Sequence, residues 1–203
     1  MRTIEVYADV MCPFAYVGLR AFEERRAEQG AAEPVVVVRA WPLELVNGHR
    51  HDARHLAPEI EALRTEVAPG LFAGFDPVTF PGSTLPALAA TAAAYRRSPA
   101  AGDAFALAVR VALFEEGRDV SDPGVLADLA RRLDVEEATD ADRAAVEADL
   151  TAGRARGVVG SPHWFTTTGD FFCPSLQIHH DGDLWDVHFD RTGFDTFLTD
   201  ALG

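Results

Sequence analysis

RTIEVYADVMCPFAYVGLRAFEERRAEQGAAEPVVVVRAW, residues 2–41, changes its apolar period twice. Residues 2–9 alternate, with Ile4, Val6 and Ala8 on one side and Glu5 and Tyr7 on the other, the pattern of a strand with unlike faces. From Ala15 the spacing becomes helical: Ala15, Leu19 and Phe22 share a stripe, with Arg20, Glu23, Glu24 and Arg26 outside it. Gly30 ends that helix. Pro34 then introduces VVVVRAW, a continuous β-branched run suited to a strand buried on both faces. Strand, helix and strand in this order predict a right-handed parallel unit, interrupted only at Cys12-Pro13-Phe14-Ala15.

Beyond this unit, residues 42–84 are rich in Pro, Gly and His, with one helix expected near 58–68. Residues 86–97 and 100–116 are apolar over most of their circumference, as in buried helices. Asp122-Pro123 reads as an N-cap with Pro at the first helical position, opening a helix whose core stripe is Leu126, Leu129, Ala130 and Leu133. Asp140 or Asp142 opens another, carrying Val146 and Leu150. At 157 the pattern reverts. GVVGSP (157–162) is a glycine-flanked turn, HWFTTT (163–168) is strand-like, and 176–180 and 184–189 are further strands. A last helix near 191–202 buries Phe194, Phe197, Leu198 and Ala201.

The 203 residues are 48% hydrophobic and 25% charged, which suits a globular chain with a sizeable core. All 18 basic residues are Arg, and the net charge is −14. So acidic a chain argues against nucleic acid or an anionic membrane as partner, since both call for basic patches. No apolar run approaches the roughly 18 residues of a membrane span. Met1 leads directly into the first strand, so no secretion signal is expected, and two Cys residues exclude a disulfide-rich secreted scaffold. A cytoplasmic, reducing compartment is the expectation.

Cys12 follows a buried strand and precedes the first turn of a helix, where unpaired N–H groups and the helix dipole favour a thiolate. Pro13 is tolerated there because the first turn does not need its N–H. Asp9, three residues earlier, is a candidate for proton transfer or an exposed turn residue. His49, His51 and His55 form a His-rich stretch, but their spacing matches no metal-ligand pattern, and no metal is expected. Arg50 and Arg54 in the same stretch are candidates to hold the carboxylates of a small thiol. His163, directly after Pro162, is a candidate site residue, although strand alternation turns it from the face Pro162 uses.

DVMCPFAYVG (9–18) resembles the D-x-x-C-P-W-C-Y-x-G segment of the DsbA-like thioredoxin-fold oxidoreductases. GVVGSPHWF (157–165) resembles their cis-proline loop, and ALFEEGRDVSDPGVL (112–126) is similar to the inserted helices of their cytoplasmic branch. The resemblance spans nearly the whole chain. It implies an α/β thioredoxin fold with an all-helical domain between the βαβ unit and the cis-proline strand, with 1–57 and 153–203 forming the thioredoxin-like part and 58–152 the insert. It implies a cis Ser161–Pro162 bond facing Cys12. Cys12 becomes the nucleophile, with Pro13, Phe14, Ala15, Ser161, Pro162 and His163 lining the substrate site. No tightly bound cofactor is implied. A small thiol, glutathione or mycothiol in type, becomes a co-substrate beside a disulfide or electrophilic substrate, and a homodimer is compatible with the superfamily.

The family's second Cys falls on Ala15, so Cys12 cannot close a local disulfide, and Phe14 supplies no cation. The first reading is therefore a monothiol oxidoreductase whose mixed disulfide is resolved by a small thiol. The second is a thiol-dependent isomerase or transferase, akin to 2-hydroxychromene-2-carboxylate isomerases and kappa-class glutathione transferases. The third is a binder without catalysis. A strand of five or six residues at ~3.3 Å each runs from Pro162 to a turn near Gly169-Asp170, which places Cys173 towards the far end of the hairpin, roughly 15–20 Å from the proline. That exceeds the ~7 Å limit of a disulfide, so no Cys12–Cys173 bond is expected and Cys173 reads as a small buried hydrophobe.

Overall fold

The computed structural model describes residues 2–50, 52–181 and 184–203. The opening stretch forms β1 (Thr3–Ala8), α1 (Pro13–Glu28) and β2 (Val35–Ala40), with β2 parallel to β1 from Thr3–Val35 to Ala8–Ala40. Five helices follow: α2 (Leu43–Asn47), α3 (Ala53–Glu66), α4 (Leu85–Arg97), α5 (Pro99–Phe114) and α6 (Pro123–Arg132), then α7 (Asp140–Arg156). The chain returns through β3 (His163–Phe165), β4 (Asp170–Phe172), a hairpin of β5 (Leu176–Asp181) and β6 (Leu184–Phe189), and α8 (Arg191–Leu202).

The main sheet has the order β2-β1-β3-β4, with β3 antiparallel to β1 and to β4; β5 and β6 form a separate antiparallel pair. This is a thioredoxin fold with helices inserted between β2 and β3. Phe22 of α1, Trp164 of β3 and Phe194 and Phe197 of α8 form one core with Ile4 and Val6. The inserted helices share a second core, built on Phe105, Val109, Leu113 and Phe114.

Local chemistry sets the helix ends. Ser98 stops α4 and caps α5, its Oγ accepting from the Ala101 N–H at 3.1 Å. Asp122 caps α6 and accepts from Gly124 and Val125, with Pro123 at the first position. Thr139 and Asp142 form a capping box on α7, which ends in the left-handed Gly157.

The insert also closes the open edge of β2. The Val38 N–H donates to the Tyr95 hydroxyl of α4 at 2.6 Å, that hydroxyl donates to the Val36 carbonyl, and the Ala40 N–H donates to Asp149 of α7 at 3.0 Å. Side chains thus take up the edge groups that would otherwise invite another strand.

Three local expectations change. The helix expected from 58 begins at Ala53, because Asp52 caps it through the Arg54 N–H at 2.9 Å and the Leu56, Ile60 and Leu63 stripe carries it through Pro58. The division expected at 57/58 and 152/153 consequently falls inside α3 and α7. HWFTTT is strand only to Phe165: the turn closes early, with the Thr166 N–H bonded to the Gly169 carbonyl, and DFF (170–172) returns as β4.

Candidate active site

The Cys12 residue is the N-cap of α1, with Pro13 at the first helical position. Its sulfur accepts from the Ala15 N–H at 3.4 Å, and its thiol donates to the Ser161 carbonyl at 3.1 Å. The Ser161–Pro162 peptide is cis, and Pro162 is buried against the start of α1. At Gly18, one turn further along, an added Cβ would lie 3.4 Å from Ser175 Oγ and 4.0 Å from Pro162 Cγ, so the helix is small-sided where the loop approaches.

A second layer of bonds holds the two halves together. The Asp9 N–H donates to Ser161 Oγ at 3.0 Å. The Asp9 carboxylate is fully enclosed and accepts from the Met11 and Leu43 N–H groups at 3.2 and 2.6 Å. Asp9 is therefore a buried brace of the turn, not an exposed turn residue. Arg110 of α5, also fully enclosed, donates to the Asp9 carbonyl at 3.0 Å and to the Ala106 carbonyl at 2.7 Å.

The electrostatics correct the expectation of a thiolate. Burial pushes the Cys12 thiol up to about 11; hydrogen bonding by the Ser161 side chain and by the Ala15 N–H pulls it down, while the Glu59 and Asp9 carboxylates push it further up. In this closed arrangement Cys12 is a thiol, because desolvation outweighs the helix-end N–H groups. Burial also raises Glu59 of α3 to about 7. Arg110 is lowered to about 10 by burial, with Asp9, Cys12 and Tyr95 holding it up.

The remaining candidates separate. Phe14 is half-buried, its ring centroid 6.0 Å from Trp185 of β6, which stacks in turn on His180 at 5.1 Å. Ala15 is fully buried with Leu19 and Phe22, so where the family places a second thiol this chain has a methyl group facing the core. The His163 ring is held between the loop and β4: Nδ1 accepts from the Val159 N–H at 3.2 Å, and Nε2 lies 3.1 Å from the Asp170 carboxylate. His163, expected to line the substrate site, braces the cis-proline loop through these two contacts. Arg50 and Arg54 are exposed, Arg50 beside Gly82. The His-rich stretch includes His51, which lies outside the described residues; His49 and His55 are exposed.

Cys173 departs most from expectation. Because the β3–β4 turn closes at Thr166–Gly169, His163 pairs with Phe172 and the Cys173 N–H donates to the Pro162 carbonyl at 3.0 Å. Cys173 thus returns to the active-site end of the sheet instead of lying 15–20 Å from the proline. Both cysteines are free and buried. Burial, with the Cys12 charge second, lifts the Cys173 thiol far above its ordinary range.

Sequence reasoning missed Arg110 and Glu59. Arg110 was open to discovery as a lone charge in FALAVRVALF, an otherwise apolar helix, since a buried charge demands a partner. Glu59 carries no such signal.

Among solved structures, the chain is similar to a 2-hydroxychromene-2-carboxylate isomerase, with a TM-score of 0.63 and 17% identity over 84% of this chain and 88% of that one. It is equally similar to the cytosolic disulfide reductase DsbM from Pseudomonas aeruginosa, solved with GSH, with a TM-score of 0.63 and 18% identity over 98% of both chains. At such identities these likenesses show the fold. A search of curated proteins finds no match. The model of the DSBA-like thioredoxin domain matches residues 3–180. With nearly the whole sheet, the insert and both halves of the cysteine site inside that match, the chain belongs to the DSBA-like thioredoxin family.

Proposed function

We propose that the protein is a monothiol thiol-disulfide oxidoreductase that uses a glutathione-type thiol in a reducing compartment. The observation that carries this reading is the placement of Cys12 at the N-cap of α1 and 3.1 Å from the Ser161 carbonyl of the cis-proline loop, with Ala15 where the resembled motif has its second thiol. Substrate enters over Phe14, Ser161 and Pro162, displacing the cover that keeps Cys12 protonated. The Cys12 thiolate attacks one sulfur of the disulfide, forming a mixed disulfide and expelling a thiolate, which takes up a proton. A small-thiol anion then attacks the substrate sulfur, forming a new mixed disulfide with it and releasing the Cys12 thiolate. Arg50 and Arg54 are assigned to the carboxylates of that small thiol, and the helices between β2 and β3 to a domain inserted into the thioredoxin-like one. Mycothiol would meet the same chemistry.

Intact-mass analysis after incubation with glutathione disulfide tests this. The unaltered protein gains one glutathionyl group and Cys12→Ala gains none; an unaltered protein that stays unmodified overturns the reading. Cys173→Ala is expected to leave the adduct yield unchanged. An adduct that collapses to a Cys12–Cys173 disulfide in the unaltered protein would replace the external resolving thiol with Cys173.

Ala15 and the protonated Cys12 favour a second reading, in which the site activates a bound thiol for isomerisation, as the isomerase likeness suggests. Cys12→Ser separates the two. Disulfide reduction vanishes under the first reading, while glutathione-dependent isomerisation of 2-hydroxychromene-2-carboxylate survives under the second.

A further inference from the structure

Arg110 is the one fully enclosed arginine among the described residues. Burying a guanidinium is costly unless its donors are met. Two are met by carbonyls, those of Ala106 and Asp9, while Nε meets no acceptor. The surrounding positions of α5, Ala106, Val109 and Leu113, are apolar and buried, so helix packing gives no reason for a charge here.

The path leading away from Arg110 gives one. Its Nη2 donates to the Asp9 carbonyl at 3.0 Å, the Asp9 N–H donates to Ser161 Oγ at 3.0 Å, and the Cys12 thiol donates to the Ser161 carbonyl at 3.1 Å. Three hydrogen bonds, joined through the Asp9 and Ser161 residues themselves, therefore link the helical insert, by way of the turn after β1 and the cis-proline loop, to the sulfur.

We propose that Arg110 is a positioning residue for Cys12: it holds the Asp9 turn against the cis-proline loop and supplies, from beneath, the positive charge that the Cys-Pro-Phe-Ala segment lacks. Cys12 faces the carboxylates of Asp9, from its own turn, and Glu59, from α3; Arg110 faces Asp9, Cys12 and the Tyr95 hydroxyl. Below about pH 10 Arg110 keeps its charge, and it is the cation that offsets these anions as the Cys12 thiolate begins to form. The helical insert then contributes to the chemistry of the thioredoxin half, not merely to its cover.

The inference rests on Cys12 being the reactive thiol, and the test separates the two claims. The rate of Cys12 alkylation by iodoacetamide is followed by intact mass from pH 6 to 11 for the unaltered protein, Arg110→Gln and Arg110→Lys, with urea unfolding to establish that each is folded. Arg110→Gln is expected to move the profile up by about one pH unit, about tenfold slower at a fixed pH, and Arg110→Lys to stay within about threefold. A merely structural arginine lowers the urea midpoint of both variants and leaves both profiles in place, which overturns the inference alone. Should Arg110→Gln not fold, Arg110→Met takes its place: a profile moved up by about one pH unit supports the proposal, and an unmoved one overturns it. A Cys12 that no reagent labels in the unaltered protein overturns the thiol chemistry, and this inference with it.

Discussion

The Cys12 thiol and the Ser161 carbonyl, 149 positions apart in the chain, meet at 3.1 Å. One residue caps the first helix of the βαβ unit, and the other precedes the cis-proline that opens β3. The pair lies near Glu59 of α3, and Phe14 beside it packs on Trp185 of the β5–β6 hairpin, so the sulfur is covered in this state. Covering a thiol and ionising it oppose each other, and the predictions below follow from that opposition.

Restoring the second thiol should change the chemistry. Ala15 is buried one turn into α1, with its N–H on the Cys12 sulfur. Ala15→Cys is expected to form a disulfide between Cys12 and the introduced thiol in a glutathione buffer and to abolish the stable glutathionyl adduct. Non-reducing peptide mapping checks this; a persistent adduct beside an unoxidised introduced thiol would refute it.

Stability at high pH should carry the mark of Cys12. The folded thiol holds its proton up to about 11, against an ordinary value of 9.0. Its contribution is therefore whole below pH 9 and is lost as pH rises to 11, by about 2–3 kcal/mol in all. Urea unfolding of the unaltered protein and Cys12→Ala should give a constant difference up to pH 8 that shifts in favour of the variant between 9 and 11.

Glu59 predicts a separate window. Burial raises its carboxyl from 4.5 to about 7, so folding favours the protonated form and stability is lost as pH rises between those values. Glu59→Gln, which mimics the protonated form, should unfold at the same urea concentration as the parent at pH 4 and at a higher one at pH 8. Because the Glu59 charge opposes ionisation of Cys12, the variant should also be alkylated faster at pH 8. An unchanged rate would show that the carboxylate does not act on the sulfur.

Phe22 tests the core beneath the site. Fully buried, it packs its ring on Trp164 at 5.5 Å and on Phe197 at 5.8 Å, joining α1, β3 and α8. Phe22→Ala should cost about 3–5 kcal/mol in urea unfolding. A loss under about 1 kcal/mol would mean that α1 is not anchored through this cluster.

The strand–helix–strand unit was legible because its periodicity is local. Alternation over 2–9, the Ala15, Leu19 and Phe22 stripe and the β-branched run from 35 each declare one element without reference to anything distant. Cys12 was legible for the same reason, as a helix-end residue within that unit. The end of β3 was not. Three threonines after Phe165 have high strand propensity, yet the turn closes at Thr166 because the Phe171 and Phe172 side chains bring the chain back along β3. That shift of three residues moved Cys173 from the far end of the sheet to the neighbourhood of Pro162.

Residue order and spacing thus carried most of the elements and marked Cys12 as a helix-end cysteine, since both depend on neighbours within about four positions. The protonation of Cys12, the bracing roles of Asp9 and His163, and the cation delivered by Arg110 became visible once distant segments were packed together. Each depends on desolvation and on charges brought close across the fold, and a linear string carries no record of which groups share a low-dielectric interior.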